Sequence, residues 1–201
     1  MIPFLALPIA YLLGAIPFGY LLVKLRTGAD VRESGSGNIG ATNVLRTTGR
    51  AAGVATLLLD AAKGYAAVWI ADRLSGGQSL WTAAAALAVI AGHAYPLFLG
   101  FKGGKAVATF VGAFLYLTPL AIAMTAVIFV AMVAWTRTIS MGSISGAAAF
   151  PLGAWLLNKA PVPVLAASII GATFIIYRHS SNIRKLRYGT ENRFRFGSPK
   201  P

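Results

Sequence analysis

The segment from Ser34 to Asn43 reads Ser-Gly-Ser-Gly-Asn-Ile-Gly-Ala-Thr-Asn and lies between two apolar stretches. Its glycines allow positive φ angles and close approach of a ligand to the backbone. The N–H groups of such a loop are suited to binding an anion, and flanking arginines add fixed positive charge. We therefore predict an anion site in this loop. Its candidate residues are Ser36, Gly37, Asn38, Gly40, Thr42, Asn43 and Arg46.

The glycine spacing at positions 35, 37 and 40 matches G-x-G-x-x-G, the fingerprint of dinucleotide-binding folds. That fingerprint requires a preceding strand and an acidic residue at a strand end. Neither requirement is met, because no strand precedes the loop and Asp60, the acid at the right distance, lies in an apolar helix pattern. The motif therefore indicates phosphate chemistry without a dinucleotide.

A second candidate segment, Phe101 to Ala106, contains Gly103, Gly104 and Lys105. It resembles part of a Walker A loop, but Ala106 occupies the position that requires Ser or Thr. We expect Lys105 to open a helix, where its ammonium and free N–H groups can act on one anion. Gly103 and Gly104 are predicted to bind substrate beside it.

Two further segments complete the candidate site. Ser143 precedes an apolar run and is predicted to be a helix N-cap. In the tail, His179 and Asn182 are three residues apart and would share a helical face, and Glu191 is the only acid.

The composition indicates an integral membrane protein. Of 201 residues, 57% are hydrophobic and only 11% are charged, against about 25% charged in an average soluble domain. With no cysteine and two histidines, we expect no disulfide, no metal site and no cofactor. The net charge is +13, and the basic residues lie between apolar runs and in the tail. This placement favours anionic lipids or phosphorylated substrates over nucleic acid as binding partners.

The apolar runs predict an all-α fold of seven transmembrane helices, several of them short or tilted. The run 106–135 contains Thr118-Pro119, where proline favours two helices over one. With two helices, all Lys and Arg residues except Lys63, Arg73 and Lys159 fall on one side, as the positive-inside rule favours. The predicted spans are 3–24, 51–71, 80–99, two within 106–135, 143–157 and 163–177.

This topology places the N-terminus outside and the basic tail, residues 178–201, in the cytoplasm. The whole chain, 1–201, is predicted to be a single membrane-embedded domain whose first apolar run is a retained span. Inside span two, Asp60 and Lys63 are three residues apart and are expected to neutralise each other. His93 and Pro96 are expected to serve helix packing.

These motifs, in this order, closely resemble one family along nearly the whole chain. It comprises the bacterial membrane-embedded glycerol-3-phosphate acyltransferases that use acyl phosphate, the PlsY type. The matching segments are Ser34–Asn43, Leu59–Gly64, Gly92-His93 with Pro96, Phe101–Thr109, and His179 with Asn182-Ile183 and Gly189–Glu191.

The resemblance implies transfer of a fatty acyl group from acyl phosphate to the 1-hydroxyl of sn-glycerol 3-phosphate, at the cytoplasmic face of the bacterial inner membrane. In such enzymes the Ser36 loop resembles a cradle for the acyl-phosphate head. Arg46, Lys105 and Ser143 match positions that hold phosphate groups, and His179 and Asn182 match the acceptor side. The implied partners are both substrates, membrane lipids and the enzyme that makes acyl phosphate.

Two questions stay open at the level of sequence. An acyl phosphate is already activated, so positioning and charge stabilisation suffice and no covalent acyl-enzyme is expected. The base is either a phosphate oxygen of the donor, with His179 and Asn182 orienting the acceptor, or His179 itself. A transporter of phosphate or an organic phosphate is the alternative function, although its polar groups should line a path across the membrane.

Overall fold

The computed structural model describes residues 2–193, which contain ten α-helices and no strand. The predicted residues 194–201 of the basic tail lie outside this range. The helices, numbered along the chain, are α1 Ala6–Ala15, α2 Phe18–Thr27, α3 Ala41–Thr48, α4 Arg50–Ser75, α5 Ser79–Ala94, α6 Val107–Leu117, α7 Pro119–Thr136, α8 Ile139–Leu156, α9 Val162–Arg178 and α10 Ser180–Arg187. The predicted all-α membrane fold is confirmed.

Within residues 2–193, five helical stretches are long and apolar enough to cross a membrane. The count rises to six if α9 and α10, which meet at a 54° bend, form one span. Helix α6 has only 11 residues and a length of about 16 Å, roughly half of the hydrocarbon thickness. Helix length alone therefore gives fewer than the seven predicted crossings.

Prolines divide the apolar runs at two places. The run 106–135 forms α6 and α7, which meet at Thr118 and Pro119, so the predicted pair of helices is confirmed. Pro119 occupies the first turn of α7, where its missing N–H breaks no intrahelical bond. The first span is also broken, between α1 and α2 at Ile16-Pro17.

The predicted start of α8 is wrong. Ser143 is not its N-cap, because the helix begins at Ile139 with Thr138 at the N-cap position. Arg137, at φ 56°, ends α7, and the extended Thr138 turns the chain directly into α8. The hydroxyl of Ser143 instead donates to the carbonyl oxygen of Ile139 at 3.1 Å, one turn earlier in the same helix.

Helix α4 lies at the centre of the bundle, where it packs against α1, α3, α5 and α6. Glycines permit the close α4–α6 contact. A Cβ at Gly112 would collide with the carbonyl of Ala61, and one at Gly64 would collide with that of Thr109. Small residues at helix crossings are the usual means of tight packing in membranes.

The predicted Asp60–Lys63 ion pair is confirmed. Its N···O distance is 2.8 Å, and both side chains are buried. Lys63 also donates to the carbonyl of Ile16 at 2.7 Å, where proline has broken the first span. His93 lies beside Asp60, with 3.5 Å between Nδ1 and Oδ1, and Nδ1 is 3.1 Å from the hydroxyl of Thr109.

Candidate active site

A cavity of about 430 Å³ opens at one end of the helix bundle. The cavity is lined by four segments that lie far apart in the sequence. They are the loop and helix around 36–46, residues 105–108, the start of α8 and the tail from His179 onward. The predicted site residues on its wall are Ser36, Asn38, Gly40, Thr42, Asn43, Arg46, Lys105, Ser143, His179, Asn182 and Glu191. The structure thus brings together residues from all four predicted segments.

Asn43 holds the glycine loop in shape. It is 2% exposed, and its Oδ1 accepts the N–H of Ser36 at 2.8 Å. Its Nδ2 donates to the carbonyls of Val31 at 3.2 Å and Ser34 at 3.0 Å. Since the amide oxygen and nitrogen of Asn43 are both bonded to the loop, Asn43 fixes the loop's conformation at the point where Ser36 lines the cavity.

The loop leads into α3 at the cavity wall. Gly35 and Gly37 have φ angles of 62° and 70°, so the predicted need for glycine holds at both positions. Asn38 accepts the N–H of Gly40 at 2.8 Å, and α3 begins at the next residue. The first N–H groups of a helix lack intrahelical partners, which gives the cavity wall at Ala41 and Thr42 the donors suited to an anion.

Lys105 is the cation that reaches across the cavity. Its ammonium donates to Oδ1 of Asn182, which lies on α10. Burial lowers the pKa of Lys105 to about 8, and the nearby carboxylate of Glu191 opposes part of that shift. Helix α6 begins two residues after Lys105, because Ala106 adopts φ 60° and turns the chain before Val107.

Gly103 and Gly104 connect the Lys105 segment to the end of α5. Their N–H groups donate to the carbonyls of Ala94 at 3.1 Å and His93 at 3.2 Å. A Cβ at Gly104 would collide with the His93 ring, and one at Gly103 with the His93 carbonyl. These two glycines, and Gly37 in the first loop, are absent from the cavity lining within residues 2–193.

The bend between α9 and α10 places the two tail residues. His179, 3% exposed, is the C-cap residue of α9 and the N-cap residue of α10. Its Nδ1 lies 2.8 Å from the carbonyl of Ile175, a contact that requires Nδ1 to carry the proton. In the neutral ring, Nε2 is then an acceptor.

Glu191 closes a polar chain through the site. Its Oε1 accepts the hydroxyl of Ser140 at 2.8 Å and the amide of Asn182 at 2.7 Å. Because Asn182 accepts from Lys105 and donates to Glu191, its amide has one orientation. The tail is thereby fastened to α8 and to the Lys105 loop.

Sequence reasoning missed several residues of the wall. Ser140 and Lys185 line the cavity, and so do Asn192 and Arg193, while Asp60 and His93 lie at its buried end. A serine in an apolar helix and a lysine in a basic tail are ordinary, so neither carried a signal. Within residues 2–193, no group of three or more His, Cys, Asp or Glu side chains is arranged to hold a metal ion.

Part of the cavity wall is apolar. It includes Leu45, Leu57, Val107, Ala108, Phe129 and Ile139. The cations Arg46, Lys105 and Lys185 also line the cavity. An amphiphile with an anionic head and a hydrocarbon chain matches both kinds of lining.

Comparison with known proteins decides the family. The family model described as glycerol-3-phosphate acyltransferase matches residues 4–189. A glycerol-3-phosphate acyltransferase of Geobacter sulfurreducens is 49% identical over 187 residues, 93% of this chain and 95% of the relative. The chain belongs to the glycerol-3-phosphate acyltransferase family.

Solved structures of the family share the fold. The glycerol 3-phosphate form of PlsY, an integral membrane glycerol 3-phosphate acyltransferase, superposes with a TM-score of 0.91 at 39% identity and 96% coverage of both chains. Its lysophosphatidic acid form gives a TM-score of 0.88 at 38% identity, with 96% of this chain and 95% of that chain covered. The resemblance to the PlsY type inferred from the motifs is confirmed.

Proposed function

We propose that this acyltransferase transfers a fatty acyl group from acyl phosphate to the 1-hydroxyl of sn-glycerol 3-phosphate. The products are lysophosphatidic acid and inorganic phosphate, and the reaction is the first acylation of bacterial phospholipid synthesis. The observation that carries the proposal is the cavity whose lining combines Arg46, Lys105 and the Ser36 loop with an apolar wall. The relatives named above are glycerol-3-phosphate acyltransferases by name, which supports the acceptor and the reaction class.

The two phosphorylated molecules are assigned to different parts of the cavity. The Ser36 loop and the first N–H groups of α3 hold the head of acyl phosphate, while its chain lies along the apolar wall. Arg46, Lys105 and Ser143 hold phosphate groups. His179 and Asn182 orient the glycerol hydroxyl, and Glu191 fixes Asn182.

The reaction is a direct displacement at an activated carbonyl. The 1-hydroxyl oxygen of glycerol 3-phosphate attacks the acyl carbon and forms the ester bond. The bond between the acyl carbon and the phosphate oxygen breaks, and phosphate leaves with the electron pair. Lys105 stabilises the negative charge that develops, as preorganised cations do in active sites.

The proton of the attacking hydroxyl passes to an oxygen of the departing phosphate. A hydrogen-bonded neighbour then needs only to orient the hydroxyl, a role that the acceptor Nε2 of His179 can fill. No side chain forms a covalent bond with the acyl group in this scheme.

The proposed topology has seven crossings, with the N-terminus outside and the C-terminus in the cytoplasm. In this topology, α1 and α2 together form the first crossing, and each helix from α4 to α9 forms one more. All four segments of the cavity then lie on the cytoplasmic side of the inner membrane. Because α6 is short, it starts below the membrane surface, and Lys105 therefore lies close to the hydrocarbon region. Acyl phosphate can then reach the cavity from the lipid phase or from the enzyme that makes it.

The deciding experiment supplies purified protein in detergent with acyl phosphate and glycerol 3-phosphate. We expect lysophosphatidic acid and phosphate in equal amounts, with strong loss of both in Lys105→Ala and retention in Arg184→Ala, an exposed arginine of α10 outside the cavity lining. A transporter of phosphate or an organic phosphate would form no lysophosphatidic acid. Absence of that product with intact, folded protein would refute the proposed function.

A further inference from the structure

Arg178 lies directly before the bend that carries the two tail residues of the site. Its Nη2 donates to two successive carbonyls, those of Gly103 at 3.2 Å and Gly104 at 2.9 Å. The residue following these glycines is Lys105. A single guanidinium therefore joins the end of α9 to the segment that presents the ammonium of Lys105.

The same segment is fixed along its other edge. The N–H groups of Gly103 and Gly104 donate to the carbonyls of Ala94 and His93 at the end of α5. With carbonyls held by Arg178 and N–H groups held by α5, the backbone of both glycines is fully bonded. The Lys105 side chain then extends from a fixed base.

Arg178 is itself held in place. Its guanidinium carbon lies 5.2 Å from the centroid of the Tyr95 ring, within cation–π range. The carbonyl of Tyr95 accepts the hydroxyl of Tyr11 at 2.7 Å, which connects this cluster to α1. A planar guanidinium can stack on a ring and donate in its own plane, which a lysine ammonium cannot do.

We propose that Arg178 is a positioning residue that sets the Lys105 ammonium against Asn182 by clamping the Gly103-Gly104 backbone to the end of α9. Arg178 is outside the cavity lining and acts through Lys105. Among residues 2–193, the Lys105–Asn182 hydrogen bond is the other hydrogen bond between the Lys105 loop and the tail. The predicted effect of Arg178 on the reaction rate rests on the proposed function. Its predicted effect on the conformation of the Lys105 loop does not.

The structural test is hydrogen exchange of the purified full-length protein, wild type against Arg178→Lys and Arg178→Gln. Both variants should raise exchange in the peptide containing Gly103 and Gly104, whose N–H groups are bonded in the native loop. Exchange in α7 should stay unchanged. Arg184→Lys, which alters an exposed arginine of α10, is the matched control and should leave the loop protected.

The kinetic test measures lysophosphatidic acid formation by the same variants. We expect Arg178→Lys to lower kcat/KM for glycerol 3-phosphate by up to about 10²-fold, the loss that a 1 Å misplacement of a reacting group can cause, while Arg184→Lys retains wild-type kinetics. In a Lys105→Ala background, adding Arg178→Lys should cause no further loss, because the clamp acts through Lys105.

Three results would overturn the proposal: unchanged loop exchange in both variants, exchange raised equally throughout the protein, or an undiminished Arg178→Lys effect in the Lys105→Ala background. If wild-type protein makes no lysophosphatidic acid, the proposed function fails, yet the exchange data still decide whether Arg178 clamps the loop.

Discussion

Lys105 carries a positive charge in a partly buried place, and its acid–base behaviour should be visible in the reaction. Burial lowers its pKa to about 8, so the ammonium fraction falls as the pH rises through that value. We expect kcat/KM, which reports the free enzyme, to decrease on the alkaline side with an apparent pKa near 8. The rate of lysophosphatidic acid formation across this range measures it.

Lys105→Arg provides the control for this pH profile, since arginine stays charged throughout. Whatever the overall rate of that variant, its alkaline decrease should move to higher pH. The same alkaline decrease in both proteins would show that another group titrates.

His179 is proposed to orient the acceptor rather than to remove its proton. Its replacement by alanine should therefore lower kcat partially, by about 10²-fold or less, because the donor phosphate still takes the proton. His179→Asn, which keeps a polar side chain, should recover part of the loss. Complete loss of turnover with normal binding of both substrates would instead identify His179 as the base.

Glu191 fastens the tail through two hydrogen bonds to a single carboxylate oxygen. The bond to Asn182 is the one that reaches the proposed acceptor side, and a hydrogen bond to a charged group is worth about 1.5–3 kcal/mol, so Glu191→Ala should lower kcat/KM roughly 10- to 100-fold. Glu191→Gln keeps an acceptor oxygen and should lose less. Steady-state kinetics of both variants measure this difference. Equal losses of kcat/KM in Glu191→Ala and Glu191→Gln would mean that only the negative charge of Glu191 matters.

At the residue scale, the sequence predicts site residues well where residue type is unusual for its surroundings. Polar residues and glycines between apolar runs, as at Ser36 and Asn38, have few roles outside a site. The clamp on Gly103 and Gly104 was beyond prediction, because it depends on His93 and Arg178, which the chain brings there from far along the sequence.

At the scale of helices, the Asp60–Lys63 pair joins α4 to the break in the first span. Asp60→Asn leaves the Lys63 ammonium buried without its counter-charge. Removing one partner of a buried ion pair costs about 3–5 kcal/mol, so we expect a clear drop in the thermal unfolding temperature in detergent.

The double variant Asp60→Asn with Lys63→Met distinguishes an ion pair from a packing effect. With neither charge present, stability should return toward wild type, although the carbonyl of Ile16 loses its donor. A double variant less stable than Asp60→Asn alone would contradict the ion-pair account.

Helix boundaries were predictable where local chemistry fixes them. Proline at position 119 has no N–H and disfavours helix at Thr118, so the α6–α7 division follows from two residues. The start of α8 was not predictable in this way, since Thr138, Ser140 and Ser143 are all plausible caps. Tertiary context selected Thr138 and left Ser143 inside the helix.

At the scale of the whole molecule, the order of motifs and the charge distribution predicted that four segments converge. The distribution of Lys and Arg between the two membrane faces predicts which loops share a face. It does not predict which of those loops are in contact. The apolar wall and the tail fold that brings Glu191 to Ser140 depend on helix packing.

We propose that these four segments meet at the cytoplasmic face of the membrane. The chain has no cysteine, so single cysteines can be placed at the exposed positions Glu33, Lys102, Ser181 and Gln78 without removing native ones. Labelling each variant with a membrane-impermeant maleimide, in membrane vesicles of both orientations, is the most direct measurement. We predict that positions 33, 102 and 181 react from the cytoplasmic side and position 78 from the opposite side; labelling of 33 and 181 from opposite sides would contradict the account.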